Sequence, residues 1–133
     1  MKIILDCNIW ISFLIGHHTE LMQRILSDYR FDITICAELL EEIHSVCSRA
    51  KVHTRVNDEE LEDFFHIIYA YCSFEEIRRK TEYTIRDPKD MYLLSLADQI
   101  GADYIVTGDA DLLDLNQLGI TKMMTLAEFK TLL

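Results

Sequence analysis

Four acidic residues occupy positions from which carboxylates can do chemistry: Asp6, Glu42, Asp90 and Asp109. Asp6 ends the apolar run IIL, and Asp109 follows YIVTG, so each is expected just past a buried strand. Glu42 and Asp90 fall in helix-forming stretches, and helix geometry selects them. At about 100° per residue, the apolar face of AELLEEIHSVCS (37–48) centres near Ile43. Glu38 and Glu41 point away from that face, and Glu42 lies at its border. Asp90 is in line with Leu94 and Ala97, at a helix start where the dipole favours a carboxylate. Carboxylates gathered without partners raise one another's pKa or demand a cation. A set offering only oxygen, with no His/Cys cluster, suits a hard ion, Mg²⁺ or Mn²⁺. Such an ion holds and polarises a phosphate and acidifies a water that attacks phosphorus.

Other polar residues stand beside these four. Asn8 and Thr107 are expected either to bond loop backbone or to orient the carboxylates and metal waters from a second layer. Asp111, in TGDADLL, can form an Asx-type turn or support the site. Asp87 is accounted for as the N-cap before Pro88 and is the weakest candidate for the metal. The histidines, His17, His18, His44, His53 and His66, show no ligand spacing and are expected on the surface or in loops. Cys7, Cys36, Cys47 and Cys72 match no zinc pattern, and each lies in or beside an apolar stretch, so reduced buried thiols are expected. No GxxxxGK[ST], GxGxxG, GxSxG or HExxH is present.

The elements that must carry these residues alternate. KIIL (2–5) and DITI (32–35) read as short buried strands, with a helix over about 18–29 between them. Helices are expected over 37–48 and from an Asn57 or Asp58 cap to about Tyr71, followed by a weak strand within 72–77. DPKDMYLLSLADQIG gives a helix with Asp87 as N-cap, Pro88 at the first position and Gly101 as terminator. A strand over 103–107, a last strand over 121–125 and a closing helix complete the chain. This alternation predicts an α/β fold with a mostly parallel sheet covered by helices on both faces. Sites in such sheets form beyond the carboxyl ends of strands, at a switch point in strand order.

Length and composition are those of one domain spanning 1–133. The chain has 133 residues, half of them hydrophobic, with one Pro and four Gly. No apolar run is long enough to span a membrane, and the start lacks a signal-peptide plan, so a cytoplasmic location is expected. The net charge of −10 opposes broad nucleic-acid binding. The distribution softens this: DEELED (58–63) is a solvated helix start, while basic residues gather at Arg49, Lys51 and Arg55 and again from Arg78 to Lys89.

The stretches IILDCNIWIS, ELLEEI, RDPKDMYLLSLADQIGADYIVTGDADLL and ITKMMTLAEF, in this order, resemble a PIN-domain protein. The likeness is closest to the toxin (VapC-like) branch of type II toxin–antitoxin pairs and spans nearly the whole chain. The resemblance implies a Rossmann-like α/β/α sandwich and metal-dependent cleavage of RNA. It implies an acidic quartet around Mg²⁺ or Mn²⁺, carried here by Asp6, Glu42, Asp90 and Asp109. Asn8, Thr107, Asp87 and Asp111 match polar positions that support such a site. Cys7 departs from the family, which has a small hydroxyl residue there. The function expected is an endoribonuclease leaving a 5′-phosphate and a 3′-hydroxyl. Lys51, Arg55, Arg79 and Arg86 are candidates for steering RNA. A homodimer is expected, and with the toxin reading a cognate antitoxin that blocks the cleft.

Two other classes compete. A receiver-type signalling domain also gathers acids at strand ends, but its acceptor Asp should follow a middle strand; Asp32 precedes one, and Lys122 is the only late-strand lysine. A PIN fold serving as a non-catalytic scaffold is the other. Clustered unpaired carboxylates argue against it, since they cost stability without a role.

Overall fold

A computed structural model describes residues 1–78 and 91–133 of the chain. Strand β1 (Lys2–Leu5) explains much of the architecture. Ile3, Ile4 and Leu5 are all fully buried. Successive strand residues face opposite sides, so continuous burial means that both faces of the sheet are covered.

From β1 the chain enters helix α1 (Cys7–Ile15) and then α2 (Thr19–Ser27) before β2 (Asp32–Ile35). Helix α3 (Ala37–Cys47), the short α4 (Ala50–His53) and α5 (Asp58–Tyr71) lead to β3 (Ser73–Phe74). Then come α6 (Met91–Ile100), β4 (Tyr104–Val106), α7 (Ala110–Leu115), β5 (Gln117–Leu118), β6 (Thr121–Met124) and α8 (Leu126–Lys130). Among the described residues these strands form a six-stranded sheet in the order β3-β2-β1-β4-β6-β5. All pairings are parallel except β5 with β6. The fold is therefore α/β with a mostly parallel sheet, as the alternating pattern implies.

The order runs outward from β1 in one direction through β2 and β3, then resumes on the other side of β1 with β4. This reversal is the switch point, and it lies between β1 and β4. Their register sets Leu5 opposite Val106, and the Asp6 N–H continues the ladder to the Val106 carbonyl at 2.9 Å.

Local signals account for several boundaries. Asn57 caps α5 through a capping box with Glu60, which starts the helix at DEELED with Asp58, Glu59, Glu62 and Asp63 exposed. Gly101 ends α6 with φ +64°, a backbone conformation that glycine adopts without steric cost. Helix α1 was not anticipated, because CNIWISFLI has no polar stripe. The helix buries Cys7, Ile9, Trp10, Phe13 and Leu14 and packs against α2, α3 and α5, so most of its circumference is core. The weak strand expected over 72–77 is confined to Ser73–Phe74, and the helix from 18 runs from Thr19 to Ser27. The four cysteines are free; Cys7, Cys36 and Cys47 are buried and Cys72 is half-buried. All five histidines are exposed.

Candidate active site

Asp6 leaves β1 at the switch point and becomes the N-cap of α1. It is 3% exposed. Its Oδ1 accepts the Cys7 N–H at 2.7 Å, and its Oδ2 accepts the Thr107 hydroxyl at 2.7 Å. Thr107 is 0% exposed and follows β4 directly, so the bond ties the two central strand ends together. The same Thr107 Oγ1 accepts the Asp109 N–H at 3.0 Å. Asp109 in turn caps α7, its Oδ1 accepting the Asp111 N–H at 2.8 Å. One hydroxyl thus sets the spacing between the two acids that exit the two central strands.

The third acid arrives from the neighbouring crossover. Glu42 is half-buried on α3, the helix that follows β2 and packs against α1 and α6. Its Oε2 accepts a hydrogen bond from the hydroxyl of Tyr92 on α6. Nothing in the spacing of acids marks Tyr92. A tyrosine two positions after Asp90 reads as an ordinary core aromatic until α3 is seen beside α6.

Electrostatics report the proximity of these groups. Burial raises the pKa of Asp6, and the charges of Glu42 and Asp109 add to the rise, while the bonds from Thr107 and the Cys7 N–H oppose it. Burial, followed by the Glu42 and Asp6 charges, pushes the Cys7 thiol up to about 12. Burial, then Glu42, holds the Tyr92 phenol far above its ordinary value, so it acts as a neutral donor. Two ion pairs among the described residues, His17 with Glu60 and Arg30 with Asp28, do not involve this centre.

The donors fit a hard divalent cation in chemical type. Asp6, Glu42 and Asp109 offer oxygen alone, and each keeps acceptor capacity beyond the bonds just given. Among the described residues, however, no three His, Cys, Asp or Glu side chains converge closely enough to hold a metal ion by themselves. Asp90, the fourth expected acid, lies outside the described residues, as do Asp87, Arg79 and Arg86.

Of the remaining expected positions, Asp111 is half-buried in the first turn of α7. Asn8 is exposed in the first turn of α1 and makes no hydrogen bond to Asp6, Glu42 or Asp109. Lys51 and Arg55 are exposed. With Arg49 they line a groove of about 210 Å³ whose apolar side is Ile11, Ile15, Val46 and Val52.

A doubly wound, mostly parallel sheet with acidic side chains at its β1/β4 switch point defines the structural class. A family model described as PIN domain matches residues 2–111, and the chain belongs to the PIN domain family. Among solved structures, the chain is similar to the crystal structure of VapBC2 from Rickettsia felis bound to a DNA fragment from their promoter. That similarity has a TM-score of 0.62 and 14% identity, and covers 94% of this chain and 98% of that one. At this identity the likeness is one of fold. No curated protein matches. Among the described residues, no helix is long and apolar enough to cross a membrane.

Proposed function

We propose that this chain is a metal-dependent endoribonuclease, the toxin of a toxin–antitoxin pair, with Asp6, Glu42, Asp90 and Asp109 as the ligands of Mg²⁺ or Mn²⁺. The observation that carries the reading is Asp6: a carboxylate 3% exposed, close to two further acids, with no cationic side chain paired to it among the described residues. Burying unpaired charge is costly, and a bound cation removes that cost. Membership of the PIN domain family supports the nuclease class, and the likeness in fold to a VapBC2 complex supports an antitoxin partner.

When bound, the cation supplies charge stabilisation at the phosphodiester and a water of lowered pKa. The protein's part is to hold the ligands ready. Thr107 fixes Asp6 relative to Asp109, and the helix N–H groups at Cys7 and Asp111 fix one oxygen of each. Lys51 and Arg55 offer positive charge to the RNA backbone outside the acidic centre. A homodimer, and Asn8 as an outer support, belong to the same reading.

Labelled RNA incubated with Mn²⁺ or with chelator, beside an Asp6→Asn variant, tests the proposal. The expected result is cleavage that requires the metal, yields 5′-phosphate ends and is lost in the variant. Intact RNA under every metal condition, together with no metal-dependent rise in melting temperature, overturns it.

A further inference from the structure

Among the described residues of the acidic centre, Tyr92 is the side chain that bonds from one helix to another. It stands on α6, two positions after Asp90, and its hydroxyl donates to Oε2 of Glu42 on α3. Helices α3 and α6 pack together, and Tyr92 is half-buried, so its ring is held before the bond is made. Glu42 has three side-chain torsions, and a free glutamate must order all of them on taking up a ligand. The Tyr92 bond removes much of that freedom in advance and leaves Oε1 open. The type of donor matters as well. A lysine or arginine here would neutralise Glu42 and compete with a cation, whereas a phenol orients the carboxylate and leaves its charge intact.

We propose that Tyr92 is a positioning residue that sets the rotamer in which Glu42 joins Asp6 to receive a divalent cation. This rests on the metal-dependent reading above. The role is that of an outer partner which orients a ligand and touches neither the metal nor the substrate. Such partners typically change metal affinity by about 10-fold to 100-fold.

The test is a Mn²⁺ titration of the full chain followed by melting temperature, for the parent protein, Tyr92→Phe, Glu42→Gln and the double variant. Phenylalanine keeps the ring and removes one oxygen, so the variant is expected to fold. Tyr92→Phe is expected to need roughly ten-fold more Mn²⁺ for half of the maximal rise. In the Glu42→Gln background the same substitution is expected to change the Mn²⁺ requirement no further, because the two residues act as a pair. A role in packing alone lowers the melting temperature in chelator and leaves the Mn²⁺ requirement of Tyr92→Phe at the parent value; that result overturns the proposal while the metal-dependent reading stands. A parent protein with no Mn²⁺-dependent rise overturns both.

Discussion

Asp6 carries opposite demands in the free and liganded protein. Its carboxyl pKa is raised by burial and by Glu42 and Asp109. An acid with a raised folded pKa binds more protons folded than unfolded, so stability falls as pH climbs from the ordinary carboxylate range through the raised value. Ionising Asp6 therefore costs the metal-free fold stability. Asn at this position still offers an oxygen to the Cys7 N–H and loses the charge. Asp6→Asn also sets its NH2 against the buried Thr107 hydroxyl, so melting in chelator reflects both changes; the variant is expected to lose the metal-dependent rise in melting temperature, and a rise of the parent size would contradict Asp6 as a ligand. Thr107 supports a second prediction at the same scale. Its hydroxyl bonds both Asp6 and the Asp109 N–H in a fully buried position. Thr107→Val keeps the shape and removes both bonds, and is expected to reduce metal affinity or RNA cleavage by about 10-fold to 100-fold. Thr107→Ser, which retains the hydroxyl, should stay within a few-fold of the parent in the same Mn²⁺ titration.

At the scale of elements, the capping box of α5 separates stability from the site. Asn57 accepts the Glu60 N–H at 2.8 Å, and the Glu60 side chain returns to the Asn57 N–H. Asn57→Ala is expected to cost about 1 kcal/mol, lowering the melting temperature by roughly 4 °C with the Mn²⁺ requirement unchanged. This cap was legible from Asn57 and the acids after it, as were β1, β2, α3 and the glycine stop at Gly101. Their signals are local: an apolar run, a period, a cap. The placement of Asp6 and Asp109 at one sheet edge was legible too, since two short strands ending in acids suffice if they are parallel neighbours. Helix α1 was not, because its buried circumference erases the period that marks an amphipathic helix. Nor was Tyr92, whose meaning depends on α3 lying beside α6. The short β5 is hidden for a related reason: two residues carry no alternation, and its pairing with β6 depends on the turn through Gly119 at φ +58°.

The whole molecule is acidic, with a net charge of −10, yet the reading asks it to bind a polyanion. Long-range attraction cannot supply that binding, because the average field repels RNA. Any contribution from charge must be local, where a cation lies within a Debye length of a phosphate, about 8 Å at physiological salt. The groove bearing the exposed Arg49, Lys51 and Arg55 is such a place, and Arg49 is near enough to the switch point for its charge to act on the Cys7 thiol. A few phosphate contacts give a shallow salt dependence, since the slope of log affinity against log salt is about −0.7 per contact for single strands. If Lys51 and Arg55 each meet one phosphate, the Lys51→Ala, Arg55→Ala double variant should flatten that slope by roughly 1.4. It should also raise KM for RNA with kcat little changed, because the contacts are made equally in the ground and transition states. Initial rates on a labelled oligonucleotide across a salt series measure both quantities. An unchanged slope would move the RNA path off this groove and leave the acidic centre as its main point of attachment.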